Sequence, residues 1–234
     1  MRHVIAASIL GVLIVGTPVV AQDTDTGTVV ELYTSQGCSS CPPADRILAQ
    51  MADRDDVIAL ALHVDYWDYI GWADDLADPA FTARQRGYAH HWQARNVYTP
   101  QMVVAGVKEF VGSHPVVAMD AVASHPASAY PVQVELTRDG DAVVISATAH
   151  GPVPQRALVQ FVRYIPEVVR EIHKGENAGK TVIYRNVVTE WSEVGQWDTD
   201  APLSLRVPAA GDQPVVVILQ DGAAGPILGA VRLR

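Results

Sequence analysis

Hydrophobic and polar positions follow two different patterns along this chain. In the first half, apolar runs at residues 28–33 and 57–64 are nearly continuous, as in parallel strands that are covered on both faces. Between them, Ile47, Leu48 and Met51 recur at helical spacing. Strand, helix and strand at this spacing predict a βαβ unit, for which a right-handed crossover is the strong default.

The rest of the first half adds two helices and two strands. Asp78 and Pro79 are typical of a helix start. The predicted elements are a helix at 79–95, strands at 97–104 and 110–112, and a helix at 115–124. The order over residues 28–126 is therefore βαβαββα, which predicts an α/β domain with a mixed sheet.

From Tyr130 onwards, short alternating runs are separated by turn residues. Residues 131–136 and 142–149 alternate apolar and polar side chains around a turn, which predicts a hairpin with one solvated face. Further strand-like runs follow at short intervals. Residues 130–234 are therefore predicted to form a mainly antiparallel β-sandwich domain. The chain as a whole is predicted to be α+β, with a domain boundary near residues 126–130.

The amino terminus has the pattern of a targeting segment. A basic start precedes an apolar run at residues 4–20, and small side chains precede a cleavage position after Ala21. Residues 1–21 are predicted to be a signal peptide, and residues 22–27 a mobile polar lead-in. An uncleaved membrane anchor is the alternative, because the run approaches the length of a membrane span. We expect a periplasmic or secreted protein with no membrane segment in its mature form, in a compartment where disulfides persist.

The composition narrows the classes of function. The 234 residues are 49% hydrophobic and 18% charged, which indicates a globular chain with a real core. The net charge of -9 and the absence of a basic run argue against nucleic acid and against an anionic membrane surface as partners. The sequence contains no phosphate-binding glycine loop, no serine-histidine-aspartate order and no metalloprotease helix motif. It therefore carries no motif of these other classes of enzyme.

Both cysteines of the chain lie in one motif, Cys38-Ser39-Ser40-Cys41. The motif falls where the first predicted strand ends and the first predicted helix begins. Free backbone N–H groups and the helix dipole at such a junction stabilise a thiolate, so the spacing favours redox activity. A zinc site and a plain structural staple are the alternatives. The zinc site lacks a second cysteine pair.

Other candidate residues surround this motif in the predicted fold. His63 ends the second strand at the same edge of the sheet, where it is either a copper ligand together with Cys38 and Cys41 or a buried, hydrogen-bonded histidine. An aromatic and acidic loop at residues 65–78 either lines a binding groove or packs as a lid. A charged, glycine-containing loop at residues 171–180 either lies over the cysteines or is a solvated hairpin loop. Asp65 and Asp68 are further candidates for tuning thiol protonation.

Residues 28–125 resemble a thioredoxin-fold domain. Cys38-Ser39-Ser40-Cys41 matches the active-site motif, and Thr99-Pro100 matches the cis-proline loop that receives substrate backbone in that family. The resemblance implies that Cys38 is the nucleophile, that Cys41 resolves the mixed disulfide, and that the two form a redox-active disulfide. Gly37 joins Thr99 and Pro100 in the implied substrate-binding set. The Ser-Ser dipeptide matches neither the common reductase nor the common oxidase motif, so the direction of electron flow stays open.

Nearly everything after the signal peptide resembles a family of secreted bacterial thioredoxin-like proteins known as domain of unknown function 1223. The resemblance rests on residues 31–45, 63–67, 98–101 and 174–180. This family brings a fold without an established substrate. The cysteine motif and the thioredoxin-fold resemblance together predict a thiol-disulfide oxidoreductase without cofactor. It is expected to act on protein or small-molecule thiols and disulfides and to exchange electrons with a membrane or periplasmic redox partner. The alternatives are a copper-handling protein that uses Cys38, Cys41 and His63, and a non-catalytic binding module with a structural disulfide.

Overall fold

The computed structural model describes residues 24–234, and the predicted signal peptide lies outside them. Three α-helices are present in that range: α1 (Pro42–Ala52), α2 (Pro79–His91) and α3 (Pro115–Ser124). The strands are β1 (Thr24–Asp25), β2 (Thr28–Thr34), β3 (Val57–His63), β4 (Gln101–Val104), β5 (Lys108–Val111), β6 (Val132–Asp139), β7 (Ala142–Ala149), β8 (Arg156–Ile172), β9 (Lys180–Asp198), β10 (Leu203–Pro208), β11 (Val215–Gln220) and β12 (Ile227–Leu233). They form a large mixed sheet and a smaller antiparallel sheet. The predicted α+β class is confirmed.

The predicted βαβ unit sits near one end of the large sheet. Strands β2 and β3 pair in parallel, and every residue of both strands is buried, as their continuous apolar pattern indicated. Strands β4 and β5 continue the sheet on the other side of β2 in antiparallel order. The predicted strand at residues 97–104 begins only at Gln101, because the residues before it form a loop around a cis Thr99–Pro100 bond.

The large sheet has nine strands in the order β1-β12-β11-β8-β9-β3-β2-β4-β5. It therefore combines strands from both sides of the predicted boundary at residues 126–130, and the division into two domains stays a prediction. The junction is the parallel contact of β9 with β3 at Ala61 and Val187, supported by a hydrogen bond from Asn186 Nδ2 to the carbonyl oxygen of Ala59 at 2.9 Å. The long β8–β9 hairpin runs through this junction.

A smaller sheet of β10, β7 and β6 covers part of the large one. Alternate residues of β6 are buried, as expected for a strand with one solvated face. They pack with Phe161 of β8, Val217 of β11 and Val231 of β12 in a second hydrophobic core. The two sheets thus bury one apolar layer between them, which is separate from the core around β2 and β3.

Two residues of the predicted lead-in, Thr24 and Asp25, form the short strand β1. Thr24–Asp25 pairs with the last strand, opposite Leu233 and Arg232. The carboxylate of Asp25 lies 3.0 Å from the buried guanidinium of Arg232. This ion pair holds the segment against the last strand. The polar composition of the segment does not predict it.

A buried ion pair connects the βαβ unit to the second half of the chain. Arg84 of α2 donates to both carboxylate oxygens of Glu31 on β2, at 2.7 and 2.8 Å. The same guanidinium donates to the carbonyl oxygen of Ala223 at 3.0 Å and lies 3.8 Å from the ring centroid of Trp191. Arg84 therefore links Glu31 of the first half of the chain to Ala223 and Trp191 of the second half.

No helix within residues 24–234 has the length and apolar character needed to cross a membrane.

Candidate functional site

The two cysteines form a disulfide in a tight turn between β2 and α1. The N–H group of Cys38 donates to the carbonyl oxygen of Ser35, and that of Cys41 donates to the carbonyl oxygen of Cys38. Cys41 is the N-cap residue of α1. Pro42 and Pro43 follow it in the first turn of the helix, where proline is tolerated. We refer to residues 35–41 as the cysteine turn.

The helix does not supply the N–H groups that the sequence argument assigned to it. Pro42 and Pro43 carry no N–H, and those of Ala44 and Asp45 both donate to the carbonyl oxygen of Cys41, at 2.8 and 3.1 Å. The polar group beside Cys38 Sγ is instead the hydroxyl of Ser40, at 3.5 Å. Stabilisation of a Cys38 thiolate would therefore come from Ser40 and from the helix dipole.

The loop that joins β8 to β9 lies on the cysteine turn. We refer to residues 173–179 as the hairpin loop. Asn177 is only 1% exposed, and its Nδ2 donates to the carbonyl oxygens of Gln36 and Cys38, both at 2.8 Å. Its Oδ1 accepts from Lys180 Nζ at 2.7 Å, so both ends of the side-chain amide are used. Of the two interpretations of this loop, the structure supports the one in which it lies over the cysteines.

A second loop, residues 65–78, holds the other side of the turn and is called the aromatic loop. The N–H of Gln36 donates to Asp74 Oδ2 at 2.8 Å, and Trp72 Nε1 donates to Gln36 Oε1 at 2.7 Å. The hairpin loop and the aromatic loop also meet, because Trp72 and His173 form an edge-to-face contact. Cys38 is 1% exposed and Cys41 is 0% exposed beneath these loops.

The three predicted substrate-binding residues are connected through Trp67 of the aromatic loop. Gly37 packs so closely on Trp67 that a β-carbon there would lie 3.1 Å from Trp67 Cβ. The indole N–H of Trp67 donates to Thr99 Oγ1 at 2.7 Å. Pro100 follows in a cis peptide next to Gln101, which pairs with Tyr33 at the end of β2. Gly37, Thr99 and Pro100 thus lie at the same end of the sheet as the cysteine turn.

His63 is completely buried beneath the aromatic loop. Its Nδ1 lies 2.7 Å from Asp74 Oδ2, and its ring packs edge-on against Tyr184. Its Nε2 has no hydrogen-bond partner in the described part of the chain. No group of three His, Cys, Asp or Glu residues in the range 24–234 is arranged to hold a metal ion while Cys38 and Cys41 are joined in the disulfide. The buried, hydrogen-bonded alternative describes this histidine.

Asp45 is a buried carboxyl one helical turn after Cys41. Thr34 Oγ1 donates to its Oδ1 at 2.7 Å, whereas Oδ2 has no partner among the described residues. Burial raises the pKa of Asp45 to about 6, although the Thr34 hydrogen bond and the nearby His63 lower it. A carboxyl of this kind exchanges a proton close to neutral pH, near the disulfide end of α1.

Sequence reasoning placed the cysteine turn correctly at a strand–helix junction but missed three residues around it. Asp45 stands four residues after Cys41, a spacing that indicates the same helix face. In the sequence, Trp67 stands out only as one of several aromatic residues in the loop at 65–78. Asn177 stands out only as a member of the loop at 171–180. The predicted tuning residues Asp65 and Asp68 accept hydrogen bonds from Thr82 Oγ1 and from the N–H of Asp74 instead.

The fold and the site define an α+β protein with a disulfide buried between a strand end and a helix start. Residues 29–220 match the family model described as a protein of unknown function, DUF1223. The chain belongs to the DUF1223 family, and the predicted membership is confirmed. No curated protein matches the chain.

Two solved structures are similar to the chain. A protein of Agrobacterium tumefaciens with a known crystal structure is 33% identical, with a TM-score of 0.74, over 91% of this chain and 96% of that one. HBP35 of Porphyromonas gingivalis is 11% identical, with a TM-score of 0.54, over 91% of this chain and 76% of that one. The second likeness is one of fold alone.

Proposed function

We propose that this protein is a secreted or periplasmic thiol-disulfide oxidoreductase built on a thioredoxin-like domain, with Cys38 and Cys41 as its redox pair. The observation that carries the proposal is the Cys38–Cys41 disulfide at the start of α1, at the same sheet end as the cis Thr99–Pro100 bond. The βαβ unit with two antiparallel strands added beside β2 supports the thioredoxin-like domain. The disulfide itself supports an oxidising compartment.

The exchange proceeds in two balanced steps. In the reduced protein the Cys38 thiolate attacks a substrate disulfide, a mixed disulfide forms, and one substrate sulfur leaves as a thiolate and takes up a proton. Cys41 then attacks Cys38 Sγ, the second substrate sulfur leaves and is protonated, and the Cys38–Cys41 disulfide remains. Two electrons and two protons pass from the protein to the substrate. A membrane or periplasmic dithiol partner restores the reduced pair, and every step runs equally in reverse.

The test uses the two single-cysteine variants with a peptide that contains one disulfide. Cys41→Ser is expected to hold the peptide as a stable mixed disulfide at Cys38, because the resolving thiol is absent. Cys38→Ser is expected to react far more slowly, because the hydroxyl of Ser40, 3.5 Å from Cys38 Sγ, stabilises a thiolate at Cys38 and not at Cys41. Mass spectrometry under non-reducing conditions counts both adducts. Equal adduct formation by the two variants, or none by either, would refute the assigned roles.

A second candidate function is favoured by the burial of both sulfurs. Under the two loops, the disulfide can simply hold the cysteine turn of a non-catalytic binding module. The reduction potential separates the candidates. Equilibration in glutathione buffers is expected to give a value between about -120 and -270 mV for an exchanging pair, whereas a value below about -300 mV identifies a structural staple.

A further inference from the structure

A groove runs between helix α1 and strand β9 and begins beside the cysteine turn. It has a volume of about 680 Å³, within the range of roughly 300–1,000 Å³ that ligand sites occupy. Pro42, the residue after Cys41, and Lys180, the residue after the hairpin loop, line the end nearest the disulfide. Gln50 and Arg185 line it further along.

Arg46 and Lys180 line the disulfide end of the groove, together with the buried carboxyl of Asp45. Arg185 is compensated by Asp53 at 2.9 Å and faces Glu167 across the β8–β9 pair. Arg46 and Lys180 form no ion pair with any residue of the range 24–234, and Lys180 Nζ donates only to the neutral amide of Asn177. Two exposed cations without a close ion-pair partner thus line one groove of a chain with a net charge of -9.

The remaining wall is apolar and long enough for a peptide. Ala49, Val182 and Ile183 line it, and Ile183 is 55% exposed. From Pro42 to Gln50 the helix rises about 12 Å, the length of about four residues in extended conformation. A bound segment would therefore place a carboxylate near Arg46 and Lys180, and an apolar side chain near Ile183.

We infer that this groove binds an acidic, partly apolar extended segment of the protein substrate, next to the substrate's own cysteine. The inference rests on the proposed function for the presence of that cysteine. The binding of the segment itself requires no redox chemistry and is measured separately.

The experiment is calorimetric titration at low ionic strength with a blocked, cysteine-free tetrapeptide of sequence Glu-Leu-Asp-Val and with its charge-reversed partner Lys-Leu-Lys-Val. The acidic peptide is expected to bind the wild-type protein, and salt is expected to weaken the binding. Arg46→Glu and Lys180→Glu should each lower the affinity about tenfold or more. Both side chains are exposed, so the variants are expected to fold. Lys108→Glu, an equal charge change on the distant edge strand β5, is expected to leave the affinity unchanged.

Three results would overturn the inference: no binding of the acidic peptide at millimolar concentration, equal binding of the basic peptide, or equal losses in Lys108→Glu and in the groove variants. A protein that exchanges thiols but binds neither peptide refutes the groove and leaves the proposed function standing. A protein that binds the acidic peptide but never exchanges thiols refutes the proposed function and leaves the groove standing.

Discussion

The side-chain amide of Asn177 donates to the carbonyl oxygen of Cys38 at 2.8 Å, across a separation of 139 residues in the sequence. A residue of the second half of the chain therefore fixes the backbone of the cysteine turn. Both sulfurs are buried in this arrangement, and a thiolate must reach a sulfur directly in order to exchange with it. The hairpin loop thus controls access to the disulfide as the structure stands.

Asn177→Ala is expected to accelerate the reduction of the disulfide by dithiothreitol in native buffer. The change leaves two buried carbonyl oxygens without donors, which costs about 1–3 kcal/mol and favours opening of the hairpin loop. The reduction rate should show little dependence on low urea concentrations, because local opening exposes little surface. Lys174→Ala, an exposed change in the same loop, is the control. A variant that loses stability but is reduced at the wild-type rate contradicts this role of Asn177.

Asp45→Asn is expected to stabilise the protein at neutral pH. Because the folded pKa of about 6 lies above the ordinary value of 3.8, the folded chain holds this proton more tightly than the unfolded chain does. The stability that the neutral carboxyl contributes is fully present below about pH 4 and is lost as the pH rises through about 6, a change on the order of 3 kcal/mol. The side chains of His63, Asp74 and Arg46 lie near the carboxyl and influence its pKa.

Urea unfolding of wild type and Asp45→Asn between pH 4 and 8 measures this effect. The two free energies of unfolding should diverge as the pH rises, because asparagine keeps the Thr34 hydrogen bond without an ionisable group. Asp120→Asn, an exposed change on α3, should give a curve parallel to that of the wild type. Parallel curves for Asp45→Asn as well would mean that the carboxyl is not buried in solution.

Arg84→Met is expected to lower the free energy of unfolding by about 3–5 kcal/mol, because it leaves the Glu31 carboxylate buried without its cation. Adding Glu31→Gln to Arg84→Met should recover much of the loss, since the uncompensated charge is then gone. Arg54→Met, which removes the half-buried partner of the exposed Asp56, should cost less than about 1 kcal/mol. The prediction fails if Arg84→Met and Arg54→Met have similar midpoints in urea.

Gly37→Ala is expected to loosen the aromatic loop. A methyl group at this position meets Trp67 Cβ at 3.1 Å and Ile70 Cδ1 at 3.3 Å, so the loop must move by a few tenths of an ångström. Hydrogen exchange of residues 67–72 should become faster, with a loss of stability of about 1 kcal/mol. Gly87→Ala on α2, where the nearest atom is 3.6 Å away, should be neutral or stabilising. Unchanged exchange in Gly37→Ala would contradict the close contact.

The local elements were predictable from the sequence because local patterns determine them. The continuous apolar run at Val57–His63 and the helical spacing in Pro42–Ala52 depend only on neighbouring residues. The contact of β9 with β3 was not predictable, because no periodicity specifies which distant strand an edge will meet. For the same reason the partner of Glu31 was not predictable, because Arg84 is 53 residues away along the chain.

At the candidate site, the cysteine motif and its strand–helix junction followed from residue types and spacing alone. The supporting contacts did not. Asn177, Trp67 and Asp74 reach the cysteine turn from loops, and the direction of a loop depends on the tertiary contacts of its ends. Pro42 and Pro43 in the sequence already indicate that the first turn of this helix has fewer N–H donors, since proline has no N–H.

The continuity of the large sheet has a consequence for the order of events during synthesis. The ribosome makes β2, β3 and the cysteine turn before it makes β9 and Asn177, which follows Cys38 by 139 residues. Strand β9 therefore cannot pair with β3, and the hairpin loop cannot lie on the cysteine turn, until most of the chain has been made. A chain cut short before β9 would lack this cover over its disulfide.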